Sequence, residues 1–335
     1  MRHPNLSFLA LLVLLPSCKS GTPVNGDDPE PRGWYTLTFD TTDVFDLSFL
    51  NPSIGWISTV GTYEGGWRGR VAFTRDGGKS WNQSLILYEG FLYNVHFVDN
   101  AVGFAGAVGV HRTSDGGYTW TRTANLAPRT IFKMRFADAN TGWGVGNRGT
   151  IVKTTDAGQS WFYQDSPYPD LIFRGMSTLN ASTAFAVGDT NLIATNDGGS
   201  TWKAISIPTF SQGITSIRYF DVKFTSQRWG WVVGEYRVII RTSDGGTTWV
   251  LQSPLPDGPF HSDACTSIDA SDSLTAIVVT SQGAILRTDD GGTNWVEQRP
   301  SDGRWFFRVQ MVTEQTAFAV GTRGTILKTT TGGRP

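Results

Sequence analysis

The chain has 335 residues and a formal net charge of −1, with 17 % charged, 39 % hydrophobic and 13 % aromatic residues. So even a balance argues against non-specific nucleic-acid binding, which needs a strongly basic face. Length alone allows two domains, but a chain of repeats grows by adding units, so one domain fits.

Residues 1–17 read as a lipoprotein signal peptide. Arg2 and His3 form a short basic start. Leu6 to Leu15 is an apolar run, shorter than the roughly 20 residues a membrane-spanning helix needs. Leu15-Pro16-Ser17-Cys18 resembles the bacterial lipobox, which would make Cys18 the lipidated first residue after cleavage. The bland alternative is an ordinary secretory signal with an incidental cysteine. With Cys18 lipidated, Cys265 has no intrachain partner and reads as a small buried residue. Residues 18–32 carry Gly, Pro and Asp without an apolar period and read as a flexible tether. Residues 33–335 are then the folded domain.

The first strand expected in that domain is Trp34–Phe39. After it, one unit repeats. Its clearest copy has strands at Thr130–Phe136 and Thr141–Val145, a tight turn at Gly146-Asn147-Arg148-Gly149, and strands at Thr150–Thr154 and Trp161–Gln164. The same order returns at Thr183–Thr195 and Thr316–Thr329.

Between the third and fourth strand of each unit stands a Thr-x-Asp-x-Gly-x-x-Trp box. Complete copies occupy Thr74–Trp81, Thr113–Trp120, Thr154–Trp161, Thr195–Trp202, Thr242–Trp249 and Thr288–Trp295. The Trp-to-Trp steps are 39, 41, 41, 47 and 46 residues, a propeller-blade period. A seventh copy, Thr329-Thr330-Thr331-Gly332-Gly333, lacks the Asp and the Trp. The expected fold is therefore all-β, a seven-bladed β-propeller. Trp34–Phe39 resembles the strands that follow other boxes, so it is expected to close the last blade.

The box residues have mechanical roles. Asp76, Asp115, Asp156, Asp197, Asp244 and Asp290 can accept from the amides of their own turns. Trp81, Trp120, Trp161, Trp202, Trp249 and Trp295 offer a large apolar face and one N–H that needs a partner. Ala157 replaces the first Gly in the third box, which assigns the demanding torsion to the second Gly. Gly78-Lys79-Ser80 lacks the earlier glycine of a phosphate loop, and Asp289-Asp290 is a box Asp beside a variable turn position.

The boxes, with the Gly-x-x-Gly-x-Ile-x-x-Thr runs at Gly146–Thr154 and Gly321–Thr329, resemble the photosystem II stability/assembly factor-like propellers (Asp-box or BNR-type repeats). The resemblance covers Trp34 to Pro335. It implies a non-enzymatic, lipid-anchored envelope protein, on the periplasmic or outer-membrane face, that binds membrane or envelope proteins, in part through an arginine patch. A monomer is expected, with no cofactor and no metal. The alternative is a sialidase-like glycan-binding or glycoside-hydrolase propeller, which shares the box turn. The Arg-Ile-Pro motif of sialidases is missing from the nearest Arg-bearing stretch, Pro31-Arg32-Gly33.

In a four-stranded blade the box turns lie on one face, and the second-to-third-strand and inter-blade loops on the other. The loop face is thus the expected partner surface. Its candidates are Arg148, Arg237 and Arg323 at matching turns, Trp67, Arg68 and Arg70 in the longer Gly61–Arg70 loop, and Arg304 and Trp305 between blades. Glu64, Arg129, Tyr168 and His261 share those loops. Lys133, Arg135, Lys223 and Arg308, with Asp46 and Asp221, alternate on first strands and are expected to pair across the central channel.

Overall fold

The computed structural model describes residues 33–63, 66–87, 91–207, 217–252, 263–300 and 303–334. Cys18 and the 1–17 and 18–32 boundaries lie outside them, as do Glu64 and His261.

Seven four-stranded antiparallel sheets form the seven blades of a β-propeller. Their innermost strands are Asp43–Phe49, Asn94–Phe97, Ile131–Phe136, Gly175–Asn180, Tyr219–Phe224, Cys265–Ala270 and Phe306–Met311. The expected strands of the clearest unit are present within about a residue of their expected ends. Its fourth strand is only Phe162–Tyr163.

Blade 7 is closed from the other end of the domain. Trp34–Leu37 pairs with Ile326–Thr329, Trp34 opposite Thr329. That is where a box Trp would stand, and a Cβ on Gly333 would lie 2.6 Å from the Trp34 indole nitrogen. Phe39, expected in the same strand, lies beyond it and packs edge-on against Trp81, with ring centroids 5.8 Å apart.

Aromatic stacks join the blades. Trp56, Phe104, Phe185 and Phe318 on second strands stack on Phe97, Phe136, Phe224 and Phe49 of the following blades, at 3.6–4.3 Å between centroids. Trp81, Trp120, Trp161 and Trp249 meet those inner-strand Phe rings edge-on at 5.9–6.2 Å. The rings fit because the second strand opens on glycine. A Cβ at Gly142 would stand 2.7 Å from the Phe136 ring. The box tryptophans are thus inter-blade packing residues, and stacked or edge-on pairs add about 0.5–1.5 kcal/mol each beyond area burial.

The six complete boxes are superimposable in their bonds. The Thr hydroxyl donates to the Asp Oδ1 at 2.7–2.9 Å and accepts from the second Gly N–H at 2.7–3.0 Å. The residue four beyond Asp, as in Ser80 and Thr119, donates its N–H to Oδ1 and its side chain to Oδ2. These donors hold the Asp115 and Asp156 carboxyls down to about 2. The indole N–H of Trp120 and of Trp249 donates to the carbonyl of the box's second Gly.

One expectation about the box is corrected. Ala157 itself sits at φ 58°, so the first position also demands the left-handed conformation. Gly158 is constrained by space as well, since a Cβ there would lie 2.1 Å from the Phe104 ring.

Candidate functional site

The inner strands position the site. In blades 1, 3, 5, 6 and 7 the pairing of the inner with the second strand skips one residue: Phe45, Phe132, Phe220, Thr266 and Phe307. A bulge leaves its extra residue unpaired and re-aims it. Tyr93 and Arg174 hold the matching places in blades 2 and 4, donating their N–H to Gly106 and Val187. These residues surround the loop-side mouth of the channel, and most are aromatic.

The aromatics touch one another. Phe307 stacks on Phe45 at 4.8 Å, and Phe45 meets Tyr93 at 5.8 Å. Tyr93 meets Phe132 at 4.8 Å and Phe91 at 5.8 Å, and Phe91 stacks on Trp67 at 5.7 Å. The row therefore runs without a gap from blade 7 through blades 1, 2 and 3, with a branch out to Trp67. Trp67 is 57 % exposed, Phe91 36 % and Trp305, near the blade 7 end, 50 %.

Trp67 stands on a wall. The second and third strands of blade 1, Gly55–Tyr63 and Gly66–Thr74, continue past Ser58–Val71 through Thr59–Arg70, Val60–Gly69, Gly61–Arg68, Thr62–Trp67 and Tyr63–Gly66. Blade 3 stops at Val145–Ile151, the match of Ser58–Val71. At about 3.3 Å per residue the extra pairs raise this hairpin by roughly 15 Å. The other half of the mouth is ionic. Arg174 pairs with Asp189 at 3.1 Å and Arg218 with Glu235 at 2.6 Å.

The arginines named from sequence divide into free and committed groups. Arg148 and Arg323 are exposed, at φ 52° and 55° in matching turns. Arg237 shares that backbone geometry but its guanidinium is 2.7 Å from Glu297 and 3.7 Å from Asp263. The three stand in blades 3, 5 and 7 with a blade or more between them, so they ring the face instead of forming one patch. Arg129 donates to the Arg148 carbonyl and lies over the Tyr163 ring.

Arg70 is corrected outright: only 1 % exposed, it is ion-paired with Asp40 and hydrogen-bonded to Thr42. It anchors the hairpin wall and cannot meet a partner. Arg68, Arg304 and Tyr168 are half-buried.

Below the mouth lies a layer of charges. Lys133 of blade 3 is 3.0 Å from Asp46 of blade 1, and both are buried. Arg308 of blade 7 reaches across to the Arg174 carbonyl of blade 4, and lies 3.8 Å from Asp46 and from Asp221. Ser267 donates to Asp221 at 2.8 Å. Burial, then Arg135 and Arg308, push the Lys133 ammonium well below the usual lysine range. Burial would raise the Asp46 carboxyl, but Lys133, Arg308 and Arg135 more than offset it and hold it low. The expected pairing across blades is present for Lys133, Arg308, Asp46 and Asp221, and Lys223 pairs with Asp269, but Arg135 has no carboxylate partner among the described residues and donates to the Met134 carbonyl instead.

On the opposite face, Asp289 and Asp290 are both committed. Asp289 takes Arg287 at 2.6 Å and Arg334 at 3.0 Å, and Asp290 accepts the bonds of its own box. Cys265 is buried and free, and burial pushes its thiol up.

The aromatic mouth was missed in the sequence, although a signal exists. Phe45-Asp46, Tyr93-Asn94, Phe132-Lys133, Phe220-Asp221 and Phe307-Arg308 are all an aromatic followed by a polar residue where an inner strand begins.

The family described as photosynthesis system II assembly factor YCF48 matches residues 126–209 and 163–300, which together are just over half of the chain. The chain belongs to this family. A photosystem II assembly lipoprotein Ycf48 of Prochlorococcus marinus (strain MIT 9313) is 32 % identical over 162 residues, 48 % of this chain and 47 % of that one. A solved structure of YCF48 bound to D1 peptide has a TM-score of 0.70 at 20 % identity, covering 90 % of this chain and 98 % of that one. The GH74 xyloglucanase of Xanthomonas campestris has a TM-score of 0.53 at 12 % identity over 88 % of this chain and 66 % of that one. At such identities the two structures show the fold alone. The chain spans between about a fifth and about half of the length of the curated relatives it matches.

Proposed function

We propose that this chain is a lipid-anchored propeller of the bacterial envelope that holds another protein on its loop face during assembly. The observation that carries the reading is the aromatic row from Trp67 to Phe307, part-exposed and flanked by the exposed Arg148 and Arg323. Aromatic and Arg side chains dominate binding hot spots, because they bury much area for little lost freedom. The wall on blade 1 gives the row a side, so an extended apolar segment with acidic residues fits along it.

The relatives support the reading. One is named as an assembly lipoprotein, and a YCF48 has been solved bound to D1 peptide. Lipid on Cys18 would place the domain at a membrane, and a tether of the length of residues 18–32 spans roughly 20 Å. The protein acts by binding, with no chemical step assigned to it.

A photo-crosslinking residue at Phe91 tests the surface, with one at Tyr118, a 64 % exposed box-face residue, as its control. Adducts with an envelope protein are expected from Phe91 and not from Tyr118. Equal adducts from both, or adducts from Tyr118 alone, would overturn the assignment. Cys18→Ser is expected to release the protein from the membrane fraction, and retention there would contradict lipid anchoring.

A further inference from the structure

The box-side half of the channel holds a second feature, separate from the aromatic mouth. A cavity of about 290 Å³ opens under the charge layer, whose Asp46, Lys133 and Asp221 form its roof, and its walls carry Ser48, His96, Arg135, Ser177, Lys223, Asp269 and Gln310. Several of these side chains have a structural task. Each inner strand leaves amides toward the neighbouring blade, and the neighbour's side chain accepts them. Ser48 accepts from Phe97, His96 Nε2 from Phe136, Ser177 from Phe224 and Gln310 Oε1 from Phe49.

This task orients the remaining hydrogen-bonding capacity. A serine whose oxygen accepts an amide still has its O–H to donate, and a neutral imidazole that accepts on Nε2 carries its proton on Nδ1. Arg135 and Lys223 bring only N–H groups. Asp269 completes an edge too, accepting from Met311, but its carboxylate is taken by Lys223, so the other edge-completing side chains leave mainly donors for the cavity.

The charges point the same way. In the layer above, Lys133 and Arg308 balance Asp46 and Asp221. In the cavity layer Lys223 pairs with Asp269 at 2.7 Å. Arg135 has no carboxylate of the described residues at ion-pair distance, and its guanidinium donates only to the Met134 carbonyl. One positive charge is left over. Its field is felt by its neighbours: after burial, Arg135 is the largest cause lowering both His96 and Lys133.

We propose that this cavity is a binding site for a compact oxyanion, a phosphate or a small carboxylate, held by Arg135 with the Ser48 and Ser177 hydroxyls. A planar guanidinium grips two oxygens of such an anion at once, and the leftover charge is neutralised. The volume accommodates an anion of this size with several waters, each about 30 Å³.

The test is the melting temperature of the purified full-length protein with inorganic phosphate or acetate, against sodium chloride at matched ionic strength. A ligand that binds only the folded state raises the melting temperature as its concentration passes the dissociation constant. Phosphate or acetate is expected to give a saturable rise of a few degrees beyond chloride. Arg135→Gln is expected to abolish the rise, and Arg135→Lys, which keeps the charge but loses the fork, to retain a smaller one. Circular dichroism without anion reports whether each variant folds. If Arg135→Gln does not fold, Ser177→Ala serves in its place, and an at least several-fold weaker phosphate midpoint is expected. A rise equal to that in chloride, or one kept undiminished in the folded variants, would overturn the proposal.

Discussion

The two faces of this propeller are built by opposite rules. On the box face one turn is repeated six times with the same bonds at nearly the same lengths, and its carboxylates and hydroxyls are spent inside the turn. On the loop face the blades differ, although blades 3 and 7 share the turns of Arg148 and Arg323. One raises a hairpin wall, several offer an aromatic ring at the channel mouth, and others place Arg174 or Thr266 there. Repetition marks what every blade needs in order to fold. Departure from repetition marks what only this ring of blades can do, and binding is therefore sought on the loop face and in the channel.

Four changes to the frame would tell these two rules apart. The largest effect is expected from Lys133→Ala, which removes the nearest cation from the buried Asp46 and leaves it only Arg308 at 3.8 Å and the Asn94 amide. Breaking a buried pair costs about 3–5 kcal/mol. The denaturant midpoint should fall accordingly, and a loss below about 1 kcal/mol would mean that the pair is dispensable. Next comes ring closure. Trp34→Ala removes a half-buried indole from the last blade and should cost about 2–3 kcal/mol, less than the roughly 3–5 kcal/mol of a fully buried aromatic. Deleting residues 33–40 should cost more, and a truncation that melts like the parent would contradict the closure.

The third change concerns pH. His96 is held neutral by burial, then by Arg135 and Lys133, with its pKa lowered from 6.5 to about 3. In that interval the unfolded chain takes up a proton that the folded one refuses. The stability contributed by the neutral ring is full above 6.5 and is lost as pH falls toward 3. The slope is at most about 1.4 kcal/mol per pH unit, and less here because part of the ring faces the cavity. His96→Gln should flatten the slope between pH 6.5 and the lower range where the carboxylates titrate. An unchanged slope would remove His96 from the account.

The smallest effect is a gain. Ala157→Gly relieves a left-handed alanine and should stabilise by about 1 kcal/mol, read as a small rise in melting temperature. No gain would show that the turn bears no strain.

The contrast between faces also explains what could be read from sequence. A box turn is contiguous, so its residues lie side by side in the chain and its missing Trp could be matched to Trp34. The channel mouth depends on bulges. There Phe45 and its neighbour Asp46 both serve the channel, against the alternation that strand reading assumes. Arg70 was misplaced for a related reason. The loop expected at Gly61–Arg70 is mostly strand, and it buries the arginine against Asp40.

One measurement tests the division of labour most directly. The affinity of Trp67→Ala/Phe91→Ala for the protein captured by crosslinking is compared with that of the box-face variant Asp156→Ala. The account predicts at least a tenfold loss for the double variant, about 1.4 kcal/mol, with an almost unchanged melting temperature. Asp156→Ala should melt lower and bind as the parent does. Undiminished binding by the double variant, or a binding loss confined to Asp156→Ala, would contradict it.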